Sequence, residues 1–233
     1  MTHEPTGRSD PGEAVPGSET CCEDCTVTTP ASHDEQWLRT ARYARWLAWA
    51  SLAWMTAEGI LGLIAGFAAG SIALVGWALG SAIEGLASVI VVWRFTGSRM
   101  LSETAERRAQ KAVAVSFWLL APYIAIEAIR DLAAHHPASS TLLGIALTAS
   151  SLVIMPVLGV AKRRLGARLG SGATAGEGTQ NLMCAAQAAG VLLALVVVAV
   201  WPGGWPIDPI IALGIAGWSV WEGNRSWRGA DCC

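Results

Sequence analysis

Six stretches of the chain are long and predominantly apolar, and polar or glycine-rich segments separate them. They cover residues 46–68, 73–94, 112–133, 141–161, 180–201 and 208–221. A run of about 20 apolar residues is long enough to cross the hydrocarbon core of a bilayer as a helix. The pattern therefore predicts an all-α membrane protein with six transmembrane helices, whose first partner is the lipid bilayer.

The composition supports a membrane protein and argues against several other classes. Of the 233 residues, 53% are hydrophobic and only 15% are charged, and the mean hydropathy is +0.43. Soluble domains carry about 25% charged residues. A formal net charge of −2 without a long basic tract argues against nucleic acid as a partner. Because no phosphate-binding glycine loop or Ser-His-Asp set is recognisable, we expect neither an ATP-driven pump nor an enzyme.

The basic residues favour one end of the predicted helices. Every Lys and Arg except Arg130 lies in the N-terminal segment, in the links at 94–111 and 162–168, or near the C-terminus. With six spans these segments share one face, which the positive-inside rule makes cytoplasmic. We therefore predict a multi-pass protein of a bacterial plasma membrane with both termini inside. Its predicted parts are a disordered cysteine-containing tail (1–36), the six-helix domain (37–225) and a short tail ending in Cys-Cys (226–233).

Carboxylates inside the apolar stretches are the strongest candidates for functional groups. Glu84 lies near the middle of the second stretch and Glu58 near the middle of the first. An ionised carboxylate there costs at least ~2.5–3.5 kcal/mol, so Glu84 is predicted to face a cavity or a partner, or else to be a protonated hydrogen-bond partner of another helix. Glu58 fits a metal ligand, a proton relay or a structural hydrogen-bond partner. Glu127 is expected to pair with Arg130 on the same helical face.

The cysteines form two groups with different expected roles. Five lie in the tails, namely Cys21, Cys22, Cys25, Cys232 and Cys233. Thiols that stay reduced in the cytoplasm favour soft-metal capture, with redox sensing or incidental cysteines as the alternatives. Cys184 lies inside the fifth apolar stretch and is either a metal ligand or a small packing residue.

Three sequence motifs resemble a known family over roughly residues 44–224. They are Ser71-Ile-Ala-Leu-Val before Gly80-x-x-x-Glu84, then Gln180-x-x-x-Cys184, and finally Ile207-Asp208-Pro209-Ile210. They resemble the second, fifth and sixth helices of the cation diffusion facilitator (cation efflux) transporters. The resemblance implies a homodimer that moves divalent metals such as zinc out of the cytoplasm, usually against protons, through a tetrahedral site between helices two and five.

The resemblance also assigns the candidate ligands. The four ligand positions of the family correspond to Gly80, Glu84, Gln180 and Cys184, and only Glu84 and Cys184 carry strong metal-binding groups. Glu177 and Gln180 precede Cys184 on one helical face and are weaker candidates. Helix five begins either at Gln180 or in the glycine-rich stretch before it, and the earlier start would bring Cys184 toward the depth of Glu84. The thiol shifts the expected preference toward zinc, cadmium, mercury or copper(I).

The leading expectation is a short, divergent member of this family that exports a soft or borderline metal ion. The metal is cargo, so no tightly bound cofactor is expected. Because the chain ends soon after Arg228, we expect no cytoplasmic metal-binding domain, and Asp208 is expected to cap helix six. The alternatives are a membrane metal-binding or sensing protein that has lost turnover and, less favoured, a membrane thiol oxidoreductase.

Overall fold

A computed structural model describes residues 35–69, 72–135 and 142–229, and these ranges are helical almost throughout. The six α-helices of the described ranges are α1 (Glu35–Ala69), α2 (Ile72–Arg94), α3 (Glu103–Ala134), α4 (Leu142–Leu169), α5 (Gly172–Val200) and α6 (Ile207–Arg228). Two 3₁₀-helices, Gly97–Leu101 and Pro202–Gly204, precede α3 and α6. The predicted all-α class with six helices is confirmed.

Helices α1 to α5 are each long and apolar enough to cross a membrane. In the described part of the chain, α6 does not belong to this group, although its sequence was predicted as the sixth span. Asp208 near its start and Glu222, Arg225 and Arg228 toward its end limit the length of its apolar stretch. The location of the two termini remains a prediction. Residues 1–34 and 230–233, with all five tail cysteines, lie outside the described residues.

Helices α3, α4 and α5 extend well beyond their apolar stretches. Helix α3 begins at Glu103 and α5 at Gly172, and in each case the preceding serine accepts a hydrogen bond from a backbone N–H of the first turn, the usual role of an N-cap serine. Helix five therefore begins well before Gln180. The prediction that Lys162 and the two following arginines end helix four is wrong, because α4 continues to Leu169 and Lys162 is fully buried.

Helix α6 begins differently from its prediction. Pro206 occupies the N-cap position and makes no side-chain cap hydrogen bond, so the prediction that Asp208 caps the helix is wrong. Asp208 instead lies within the first turn. An acidic side chain in that turn still interacts favourably with the positive end of the helix dipole.

The helices pack most extensively as the pairs α1–α2, α3–α6 and α4–α5. Helix α2 also contacts α5, and α1 contacts α4, so α1, α2, α4 and α5 enclose one region. The α4 and α5 backbones approach closely, because a Cβ atom added to Gly178 would lie 2.7 Å from the carbonyl oxygen of Gly159. Small residues permit this approach between membrane helices. The contact of α2 with α5 brings Glu84 and Cys184 onto neighbouring helices.

The Glu106 carboxylate, in the first turn of α3, accepts hydrogen bonds from the end of α2 and the start of α5. Glu106 Oε2 of α3 accepts a hydrogen bond of 2.7 Å from Arg94 Nε at the end of α2. Its Oε1 atom accepts hydrogen bonds from the Ser171 hydroxyl at 3.0 Å and the Ala173 backbone N–H at 3.1 Å, at the start of α5. We call this group, Arg94, Glu106, Ser171 and Ala173, the Glu106 clamp. It joins α2 to α5, the two helices that carry Glu84 and Cys184.

Candidate metal centre

Polar and sulfur-containing side chains, all buried except the half-buried Trp77, form three layers along α1, α2, α4 and α5. The lysine layer contains Ser51, Lys162, Glu177 and Asn181; the sulfur layer contains Met55, Glu84, Met155 and Cys184; the glutamate layer contains Glu58, Trp77 and Ser151. On α1, Ser51, Met55 and Glu58 recur at the i, i+4, i+7 spacing that places side chains on one helical face. Glu177, Asn181 and Cys184 of α5 have the same spacing. Each of these two helices therefore contributes its layer residues from a single face.

The lysine layer contains a buried ion pair. Lys162 Nζ donates hydrogen bonds to Glu177 Oε1 at 2.6 Å, to Asn181 Oδ1 at 3.3 Å and to the Ser51 hydroxyl. A lysine ammonium has three N–H donors, so all of them are used. Lys162 and Glu177 side chains are 0% and 1% exposed. Their charges therefore compensate one another inside the bundle, and Lys162 does not contribute a free surface charge.

The sulfur layer brings together the two strong ligands predicted from the sequence. The Cys184 thiol of α5 and the Glu84 carboxyl of α2 lie close enough to interact. The second carboxyl oxygen of Glu84 is buried and has no hydrogen-bond partner. Met55 of α1 and Met155 of α4 pack with Cys184 and Ala185 in one buried cluster. The unpartnered Glu84 oxygen and the neighbouring Cys184 sulfur are therefore two atoms that can bind a cation.

The glutamate layer contains Glu58, which has structural hydrogen-bond partners. Glu58 Oε1 accepts hydrogen bonds from Ser151 Oγ at 2.6 Å and Trp77 Nε1 at 3.1 Å, and thereby connects α1 with α4 and α2. Its other oxygen is buried without a partner. Glu58 also lies close enough to Glu84 for electrostatic interaction. A cation bound at Glu84 would reduce the repulsion between the two carboxyl groups when both are charged.

The other predicted ligands on α5, Glu177 and Gln180, have hydrogen-bond partners outside the sulfur layer. Gln180 Nε2 donates to Ser116 Oγ of α3 at 2.9 Å, whereas Glu177 pairs with Lys162 of α4. Position 80 lies against the ring of Tyr123, whose Cε1 atom would be 3.4 Å from an added Cβ. Glu177, Gln180 and Cys184 thus contact three different helices and do not converge on one point.

A complete set of conventional ligands is not assembled. Within residues 35–69, 72–135 and 142–229, no group of three or more His, Cys, Asp and Glu side chains could hold a metal ion. The expected ion pair of Glu127 with Arg130 is confirmed, with Oε1 and Nη1 3.2 Å apart. The other carboxyl oxygen of Glu127 faces α2, where it would lie 3.2 Å from a Cβ added to Gly76.

Sequence reasoning missed the residues that α4 contributes to the layers. Lys162 was assigned to a link because three consecutive basic residues usually end a membrane span. Met155 received no role because an isolated methionine in an apolar helix is ordinarily a packing residue. A detectable signal was present, since Ser151, Met155 and Lys162 lie at i, i+4 and i+11 and share one face if the helix continues past Lys162.

Comparison with known families gives one match that covers most of the chain. Residues 48–225 match the family model described as the cation efflux transmembrane domain. The matched range begins in α1, ends in α6 and contains all three layers. No curated protein matches the chain.

Proposed function

The chain belongs to the cation efflux family, and from this membership we propose that it exports a soft or borderline cation such as zinc or cadmium. A metal cation transporter of this family needs a cation site inside the membrane-spanning region. The proximity of Glu84 to Cys184, on the neighbouring helices α2 and α5, is the observation that supports the proposal. A thiol ligand favours soft and borderline metals over magnesium or calcium.

Glu84 and Cys184 have distinct roles in the proposed transport cycle. Glu84 supplies an anionic oxygen ligand through its unpartnered carboxyl oxygen, and Cys184 supplies sulfur. When the metal leaves, a proton replaces it on the carboxylate, because an unpaired charge at this depth is costly. Exchange of metal for protons at one carboxylate couples the two fluxes. We also propose that the protein acts as a homodimer, as the family resemblance implies.

A membrane metal-binding or sensing protein without turnover is the second candidate. Two of the four family ligand positions are Gly80 and Gln180, and the described residues contain no cluster of three conventional ligands. Such a protein would bind metal stoichiometrically but would not carry it across a bilayer.

Flux measurements in proteoliposomes separate the two candidates. Purified protein should move zinc or cadmium, faster when a pH gradient is imposed. Glu84→Gln should abolish flux without loss of folding, whereas Glu103→Gln, a change at an exposed carboxylate in the first turn of α3, should leave flux intact. Tight metal binding with no flux of any tested metal would favour the sensing protein instead.

A geometric test examines whether positions 84 and 184 share one ion. In a variant with all five tail cysteines changed to serine, Glu84→Cys places a second thiol beside Cys184. Mercury or a short dithiol reagent should then bridge the two, which mass spectrometry of proteolytic fragments would detect. The same variant with glutamate retained at position 84 is the control and should give no bridge. Absence of the bridge would contradict a shared site.

We propose that the tail cysteines capture metal before it reaches the membrane region. Cys21, Cys22 and Cys25 include a C-x-x-C spacing, and Cys232 and Cys233 end the sequence. A peptide of residues 15–30 should bind cadmium, zinc or copper(I), and the Cys→Ser triple variant should not. In the full chain the same change should raise the half-saturating metal concentration and leave maximal flux unchanged. An unaltered concentration dependence would exclude this role.

A further inference from the structure

The thioethers of Met55 and Met155 extend the sulfur layer beyond the pair Glu84 and Cys184. Both methionines are buried, at 4% and 0% exposure, and both pack in the cluster that contains Cys184. They belong to α1 and α4, so all four helices around this region contribute to the layer. Thioether sulfur is a ligand that soft metals accept and that hard metals do not.

The Met155 sulfur accepts a hydrogen bond from a side-chain amide, an interaction that a residue used only for apolar packing does not require. Asn181 Nδ2 donates to the Met155 sulfur at 3.2 Å and also lies 3.3 Å from Ser51 Oγ in the lysine layer. An amide that orients a candidate ligand atom resembles the outer-shell partners of metal sites. Met55 lies next to α2, because its Cβ atom would be 3.8 Å from a Cβ added to Gly85.

We infer that the sulfur layer is a binding site for a monovalent soft d¹⁰ cation of the copper(I) and silver(I) class, with Met55, Met155 and Cys184 as sulfur ligands and Glu84 as the anionic ligand. This inference rests on the proposed function, because it concerns the same site. The buried, unpartnered carboxyl oxygen of Glu84 beside the thiol supports a cation at this point, and the two thioethers favour a soft one.

The softness of the ligands favours a soft monovalent ion. The layer offers three sulfur atoms, two from thioethers and one from Cys184, and such ligands select copper(I) among the transition metals. One negative charge, on Glu84 or on the Cys184 sulfur with the other group protonated, balances a monovalent ion. The neighbouring Lys162 ammonium is already compensated by Glu177.

Binding measurements on the full chain test the inference. All five tail cysteines are changed to serine so that Cys184 is the remaining thiol, and silver(I) is the probe because it does not change oxidation state. Silver(I) should bind one site per chain. Met55→Leu and Met155→Leu should each weaken it by about tenfold or more, with cadmium affinity changed much less. Leucine conserves volume, so both variants should fold.

Met183→Leu is the matched control. Met183 is a fully buried methionine on α5 that packs in the other apolar cluster, and its substitution should leave silver(I) affinity unchanged. X-ray absorption of the silver-loaded protein should show mixed sulfur and oxygen ligation, with fewer sulfur neighbours in Met55→Leu and Met155→Leu than in Met183→Leu.

The outcomes distinguish this inference from the proposed function. Silver(I) binding that is absent, or equally strong in Met55→Leu, Met155→Leu and Met183→Leu, would overturn the inference. Cadmium flux that still depends on Glu84 would then leave the proposed function standing. Conversely, loss of sulfur neighbours in the two variants, without flux of any metal, would support the soft-metal site and reject export.

Discussion

Lys162 is the residue whose environment departs furthest from its sequence context. The two following arginines suggest a water-exposed helix end, yet its ammonium group is buried and all three donors have partners. Removal of water from two charges is expensive even when they are paired. The pair therefore indicates a defined arrangement of α1, α4 and α5 more than a large net stabilisation.

Single substitutions in the lysine layer should be more harmful than a double one. Lys162→Met leaves Glu177 as a buried unpaired charge, and Glu177→Gln leaves Lys162 unpaired, at a cost of about 3–5 kcal/mol each. Lys162→Met combined with Glu177→Leu removes both charges and should recover most of the loss. Thermal unfolding in detergent measures the difference, with Lys111→Met at an exposed position as the control. Equal stability of all variants would mean that the two side chains do not interact.

At the level of the helices, the contact of α4 with α5 determines how the layers align. Gly159 and Gly178 let the two backbones approach, and an added Cβ at either position would lie within 2.8 Å of the other's carbonyl oxygen. Cys184 of the sulfur layer follows Gly178 by six positions, about 9 Å along the helix at 1.5 Å per residue. A change in this contact therefore moves the side chains of two layers together.

Gly178→Ala should separate α4 from α5 and disturb the lysine and sulfur layers together. Overpacking of this kind costs typically about 1–3 kcal/mol. We expect a lower unfolding temperature and weaker metal binding, although no candidate ligand is changed. Gly217→Ala is the matched control, because an added Cβ there meets no atom within 4 Å. If the two alanine variants behave alike, the close approach is not what aligns the layers.

The sequence predicted helix α2 well and predicted α5 only in part, for physical reasons. The run 73–94 is apolar between polar ends and corresponds closely to Ile72–Arg94. Residues 171–178 are rich in glycine, which lowers helix propensity, yet they form the start of α5. Small residues there permit close packing on α3 and α4, where Gly176 lies against Val113 and Gly178 against Gly159. Tertiary packing outweighs local propensity in this segment.

The candidate site was likewise predictable only in part from the sequence. Glu84 and Cys184 follow from their position in the motifs, because the contact of α2 with α5 brings them together. Met55, Met155 and Lys162 depend on the relative rotation of α1 and α4, which apolar periodicity does not determine in a helix with apolar residues on all sides. The environment of Glu58 likewise depends on Ser151, which is distant in sequence.

For the molecule as a whole, the predicted topology places both termini in the cytoplasm. Thiol reagents that cannot cross a membrane should therefore label Cys25 and Cys233 only after the cells are permeabilised. A single cysteine introduced at Trp201, in the loop predicted to be external, is the positive control and should react in intact cells. Labelling of Cys25 or Cys233 in intact cells would overturn the topology and the proposed capture of cytoplasmic metal.

The Glu106 clamp should stabilise the bundle. Glu106→Ala leaves the Arg94 guanidinium largely buried without its carboxylate and should cost about 3–5 kcal/mol. Glu103→Ala removes an exposed carboxylate from the same turn of α3 and should cost far less. Unfolding of the two variants in the same detergent measures the difference. Similar unfolding temperatures would show that the clamp does not hold the helix ends.

The Glu106 clamp also gives α2 and α5 a common pivot. Glu84 lies about 15 Å along α2 from Arg94, and Cys184 lies about 17 Å along α5 from Ala173, at 1.5 Å per residue. Since these two distances are similar, a rotation of α2 and α5 about the clamp would separate the far ends of the helices furthest. Entry of an ion from those ends would leave the clamp intact, whereas entry from the opposite side would require it to break. Arg94 and Glu106 would thus serve as a latch, and Glu106→Ala should make Cys184 reactive from the clamped side.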